Sequence, residues 1–175
     1  VDNGRFDWQV DSIAIRSIDR RPPTLLDDVP ERGTDLSTYM QPGFDAAWLA
    51  LRNEDPALSD GAVLARTEHI FLELNTAWSA NELTPIRGLL SDGLYDSLTY
   101  WTDAYKKQGL RNVVADPKLT HAVMCKLVRD KYYDALTIRI WGTGKDHTIR
   151  TDDGSLVKGS KTRDRAYSEY WTLIR

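Results

Sequence analysis

Ser59–Asn81, SDGAVLARTEHIFLELNTAWSAN, is followed by Asp92–Gly109, DGLYDSLTYWTDAYKKQG, and then by LTHAVMCKLV at 119–128, YYDALTIRIWGT at 132–143 and AYSEYWTLIR at 166–175. In the first stretch Val63, Thr67, Ile70, Phe71, Leu74 and Trp78 recur at helical spacing, one apolar stripe along one face. In the second, Leu94, Leu98, Trp101 and Tyr105 do the same. Ser59 suits an N-cap with Asp60 in the first turn. Gly109 suits a helix stop. The later stretches alternate with period two, as half-buried strands do. Helices first and antiparallel strands after predict an α+β domain, with helices packed on one face of a curved antiparallel sheet of about four strands. A half-open cone of that kind can hold a pocket.

Working outward, Gly43–Arg52 reads as a short helix stopped by Asn53-Glu54-Asp55-Pro56, and Thr84-Pro85 opens another short helix through Leu90. Arg129–Lys131 reads as a turn. Asp152-Asp153-Gly154 signals a hairpin between Thr148–Thr151 and Ser155–Gly159. Gly142-Thr143-Gly144 also reads as a turn. Leu119, His121, Val123, Cys125 and Leu127 are expected to share one strand face, with Met124 and Val128 on the other. Upstream the pattern fades. Phe6, Trp8, Val10, Ile13, Ile15 and Ile18 are scattered among charges, so Asp7–Ile15 fits a strand or a short helix. Arg20-Arg21-Pro22-Pro23 breaks any regular element. Residues 1–43 are therefore expected to be an irregular arm or small extension, and 44–175 the folded domain.

Composition bounds the class. At 175 residues, 41% hydrophobic and 28% charged, the chain can build a real core. A net charge of −3 argues against a nucleic-acid partner. The charge is uneven: residues 1–58 hold 11 acidic and 6 basic side chains, residues 59–175 hold 15 and 17. Lys158, Lys161, Arg163 and Arg165 surround Asp164 in the second part and are the candidates for contact with an anionic surface. A solvated loop is the simpler explanation of them. Cys125 is the single cysteine, so no internal disulfide or cysteine metal cluster is expected. No run of about 18 apolar residues predicts a membrane span, and no signal peptide is evident. The sequence begins at Val1, as expected of a segment cut from a longer protein.

Chemistry is sparse in the sequence. His69, His121 and His147 lack helical zinc-ligand spacing, and no metal site or cofactor is expected. No phosphate loop, nucleophile elbow or dinucleotide fingerprint occurs. Six Trp and eight Tyr are many for this length. Core packing accounts for most of them. Phe71, Trp78, Trp101, Tyr105, His121, Trp141 and Trp171 are the pocket candidates, since aromatics wall apolar ligand sites. Trp78, Trp101 and Trp171 are further expected to be buried in one cluster. Asp134 and Glu169 are the acids clearly inside strand patterns.

Five pieces carry a resemblance: Asp55-Pro56-Ala57-Leu58-Ser59, Ala77-Trp78-Ser79-Ala80, Leu90-Ser91-Asp92-Gly93-Leu94-Tyr95, Gly109-Leu110-Arg111-Asn112-Val113 and Glu169-Tyr170-Trp171-Thr172-Leu173-Ile174-Arg175. In order and spacing they resemble the bacterial branch of the inner-membrane-translocase-subunit-44-like domains, over about residues 44–175. The resemblance implies a nuclear-transport-factor-2-like (cystatin-like) cone and non-enzymatic work at a membrane. The mitochondrial relative tethers an import motor and carries an apolar pocket proposed to meet lipid. By that likeness the chain is a membrane-proximal binding or scaffolding module of a membrane-anchored bacterial protein, with protein or anionic-membrane partners. An alternative stays open: cone folds also host isomerases, dehydratases and hydrolases, and His121 would be the first acid–base candidate. A third reading is self-association through the open sheet face.

Overall fold

The computed structural model describes residues 34–175; the expectations for Asp7–Ile15, for the Arg20–Pro23 break and for the rest of the arm before Thr34 lie outside these residues. Helices α1 (Phe44–Glu54), α2 (Asp60–Ser79) and α3 (Asp92–Lys107), with a 3-10 turn at Thr84–Leu89, precede strands β1 (Leu110–Arg129), β2 (Asp134–Arg150), β3 (Leu156–Gly159) and β4 (Arg165–Ile174). Local chemistry sets the boundaries. Ser59 Oγ accepts the Ala62 N–H at 3.1 Å and Ser91 Oγ accepts the Leu94 N–H at 3.3 Å, satisfying donors that helix starts leave open. Pro85 sits in the first turn of the 3-10 segment. Gly109, at φ +64°, turns the chain from α3 into β1.

Among the described residues the sheet is antiparallel and four-stranded. β2 is its spine: β1 pairs along one edge, from Leu110 opposite Arg150 to Arg129 opposite Asp134. On the other edge of β2, β4 pairs with 135–144 and β3 with 147–149. Register shifts in β1 fall between Ala115 and Lys118, Leu119 and His121, and Met124 and Lys126. Each extra residue bends the strand and adds twist, so β1 curls the sheet around the helices. The core lies inside the curl. Phe44, Trp48, Leu51, Val63 and Phe71 pack on Leu127, Leu136, Ile138 and Ile140. A smaller cluster of Ala77, Leu83, Ile86 and Leu90 ties the end of α2 to the 3-10 turn.

Four expectations are corrected here. β1 begins at Leu110, not Leu119, because Asp116-Pro117, a turn signal in sequence, is absorbed by a bulge. Gly142-Thr143-Gly144 is inside β2, which runs unbroken to Arg150. Gly142 is required by packing, not turning: a Cβ there would stand 2.8 Å from Tyr167 and 3.1 Å from Phe71. Tyr132 and Tyr133 belong to the β1–β2 turn rather than to a strand. Finally, the bulges change the facing of β1. Met124 pairs with Ile138 and Leu127 with Leu136, so both join the helix-covered face, while His121 pairs with Trp141 and Val123 with Arg139 on the opposite face.

That outer face carries a strap, residues 34–41. The Arg139 guanidinium donates to Thr34 O (3.1 Å), Leu36 O and Thr38 Oγ1 (3.1 Å), and Trp141 Nε1 donates to Thr34 O at 3.1 Å. At the strap's far end the Gln41 N–H donates to Cys125 O at 2.8 Å, and Gln41 Oε1 accepts from Leu127 N at 3.0 Å. The strap thus crosses the sheet from β2 to the Cys125 bulge. Cys125 is fully buried, and burial pushes its thiol pKa up, as expected of an inert thiol.

Candidate binding groove

A groove of about 1090 Å³ opens between α2, the start of α3 and the helix-facing side of β4. Leucines at 74, 89, 94 and 98 form one wall, and Trp171 and Leu173 form the other. Its openness has a cause in α3. Leu94 and Trp101 of its stripe are left uncovered, while Leu98 and Tyr105 pack inward, because α3 docks mainly on β1. Leu94 is 46% exposed and Thr102 is the buried residue of the helix. Trp101, expected in a buried cluster, is 55% exposed and among the described residues meets one aromatic ring, that of Tyr100, at 5.3 Å.

Asp134, Glu169 and Arg175 are charged groups of the groove and are engaged at its rim. Asp134 takes Arg129 Nε at 3.0 Å and Arg175 Nε at 3.1 Å. The hydrogen bond from Arg129 is the main reason its carboxyl lies below the ordinary carboxylate value. The contribution of these pairs is complete above that ordinary value and is lost as pH falls through the lowered one. Glu169 Oε2 accepts the Trp171 indole N–H at 2.7 Å. Arg66 lies on the α2 wall. This is an apolar cleft with polar groups at its edge, the usual form of a site for an apolar ligand.

The predicted pocket residues separate into three places. Trp171 lines the groove, and Phe71, fully buried, supports it from beneath at 6.0 Å between ring centroids. Trp78 and Tyr105 meet edge-to-face at 6.1 Å away from the groove lining. There Trp78 Nε1 donates to Asn112 Oδ1, Asn112 Nδ2 donates to Asp146 Oδ1 and Arg165 Nη1 donates to Asp146 Oδ2, each at 2.8 Å. This network joins α2, β1, β2 and β4 and is built for structure. Burial pushes the Tyr105 and Tyr167 hydroxyl pKa values up beside it. His121 and Trp141, 4.9 Å apart, are on the outer face and cannot serve the groove.

The basic stretch lies off the groove lining as well. Arg165 pairs opposite Gly144, and the lining of β4 begins at Glu169, about 13 Å along the strand at ~3.3 Å per residue. Lys161 Nζ donates to Gly154 O at 3.0 Å, Arg165 is held by Asp146, and Lys158 is half-buried in β3. Groove leucines 89, 94 and 98 were the residues missed in sequence; a shortfall of partners for the α3 stripe would have been the signal.

Among the described residues no helix is long and apolar enough to cross a membrane, and no group of three or more His, Cys, Asp and Glu is placed to hold a metal. No curated protein is a significant match. The Tim44-like domain family model matches residues 45–175. That family works in membrane-associated protein transport. With helices packed on a bent antiparallel sheet over that whole length, the chain belongs to the Tim44-like domain family.

Proposed function

We propose that this domain is a non-catalytic, membrane-proximal binding module that holds an apolar ligand in its groove and meets an anionic surface with its Lys158–Arg165 loop. The observation that carries the reading is the groove itself, walled by Leu94, Leu98, Trp171 and Leu173 and open to solvent. The alternative, a small-molecule enzyme of the cone fold, has less support: His121 faces away, and Asp134 is tied to two arginines. Self-association through the sheet face has less room, since the strap crosses that face. Separation of groove and basic loop suits a tether, which must hold two things at once.

Two measurements test it. Anilinonaphthalene sulfonate fluorescence should report binding to the wild-type domain. Leu94→Glu, a change at a half-exposed position, should weaken it about tenfold, since one apolar contact is worth roughly 1.5–3 kcal/mol. Co-sedimentation with phosphatidylserine vesicles should occur at low salt. It should fade toward 1 M, where the screening length shrinks from about 30 Å at 0.01 M to about 3 Å. The Lys158→Gln, Lys161→Gln, Arg163→Gln triple variant should lose it; Arg165 is spared because it supports Asp146. Dye binding indifferent to Leu94→Glu would remove the groove from the reading. Vesicle binding indifferent to salt would remove the loop.

A further inference from the structure

The groove is lined by Tyr170, Trp171, Thr172, Leu173 and Ile174 in unbroken succession. Successive side chains of a strand point to opposite faces. The cavity borders Trp171 and Leu173 over the helix-covered face and reaches the intervening residues where β4 ends the sheet among the described residues. The hydrogen bonding gives the state of that edge. Asp134 and Arg175 exchange both backbone bonds, N to O at 3.1 Å each way. The antiparallel ladder alternates from there. Residues 173, 171 and 169 then turn their backbone N–H and C=O toward β2, and Ile174, Thr172, Tyr170 and Ser168 turn theirs outward. Among the described residues no strand pairs with that outer side.

Edge strands are ordinarily blunted by bulges, prolines or lysines. β1, the opposite edge of the sheet, has all three: its register shifts, Pro117, and Lys118 with Lys126. β4 pairs with β2 without a single shift, and its Ser168–Ile174 run contains no Pro and no Lys. It is about 23 Å of flat, adhesive edge beside an apolar cleft.

We propose that the outer edge of β4 is a docking site for an extended apolar polypeptide segment of a partner, which adds to the sheet as an antiparallel fifth strand. This rests on the groove reading above and names the ligand class of that site. Antiparallel pairing matches every other pair in the sheet. In that register the residues bonding Tyr170 and Thr172 direct their side chains to the outer face, and the alternate residues place theirs in the groove against Trp171, Leu173, Leu94 and Leu98. Main-chain bonds hold the segment and the apolar cleft selects every second side chain. A second copy of the domain fits less well. Its own helices would lie on the same side of the shared sheet and meet α3.

The probe is a fluorescein-labelled peptide, Lys-Thr-Leu-Thr-Val-Thr-Leu-Thr-Lys, titrated into the full chain by anisotropy, with dye displacement read in parallel. N-methylation of the threonine nitrogens, which would face β4, should abolish binding, whereas N-methylation of the leucine and valine nitrogens should be tolerated. Thr172→Pro removes an outward N–H and no β2–β4 ladder bond, as prolines at sheet edges do, and should weaken the peptide at least tenfold. Val157→Thr, at an exposed position of β3 outside the groove lining, should leave the peptide affinity unchanged. Equal binding of both methylated peptides overturns the added strand but leaves the groove. So does a peptide that fails to bind while the dye binds. Failure of peptide and dye together overturns both. A dimer in sedimentation velocity that Thr172→Pro dissolves would assign the edge to self-pairing and overturn the partner segment.

Discussion

Phe71→Ala should lower the stability of the domain by about 3–5 kcal/mol, the range for removing a buried aromatic ring from a core that cannot collapse around the gap. Phe71 has no exposed surface and sits in the main core cluster, at the centre of the α2–sheet contact. Its ring approaches Trp171 on one side and the bare backbone of Gly142 on another, where no side chain can move in to fill the void. Trp101→Ala gives the contrast. In sequence the two residues belong to similar stripes, yet Trp101 is 55% exposed and its removal should change stability by no more than about 0.5 kcal/mol. Urea denaturation midpoints of the two variants decide the matter. Equal shifts would mean that α3 packs with Trp101 inward.

Arg139→Leu should cost about 3 kcal/mol and free the strap. Arg139 is 2% exposed, stacked 4.3 Å from the Trp141 ring centre and 5.6 Å from that of Tyr170. Its fork holds the carbonyls of Thr34 and Leu36, and hydrogen bonds to a charged group are each worth roughly 1.5–3 kcal/mol. Relief from desolvating the guanidinium offsets part of that loss. Arg139→Lys keeps the charge without the planar fork and should be intermediate. Chymotrypsin cleavage after Tyr39 should speed up in the order wild type, Lys, Leu. A cleavage rate unchanged in the Leu variant would show that Gln41 alone secures the strap.

Much of the architecture was legible because periodicity is a local property. The stripe from Val63 to Trp78, the cap at Ser59 and the Asp152–Gly154 turn each state their structure within a few residues. The bulges do not. Cys125 looks like one more alternating residue, and only its pairing to Gln41 and its absence from the β2 register show that Leu127 has changed face. His121 was assigned to the wrong side for that reason. Pro117 and Gly142 carry turn chemistry in sequence, and both are overridden by long-range pairing with β2 and by the rings of Phe71 and Tyr167. The groove was half legible. A pocket between the helices and the sheet follows from the fold, and Trp171 was among its expected residues. That α3 would leave Leu94 and Trp101 uncovered depends on where α3 docks, which no stripe in its own sequence encodes. Arg139, the best-anchored charge of the outer face, gave no sign among alternating strand residues.

The proposed apolar ligand sits between α2, α3 and β4. Methyl-resolved NMR of leucine- and isoleucine-labelled protein, titrated with anilinonaphthalene sulfonate, reads this most directly. Shifts concentrated at Leu89, Leu94, Leu98 and Leu173, with Ile149 and Leu156 silent, are the expected result. Shifts confined to Leu156 and Ile149 around the β2–β3 hairpin, or spread evenly over both regions, would contradict it.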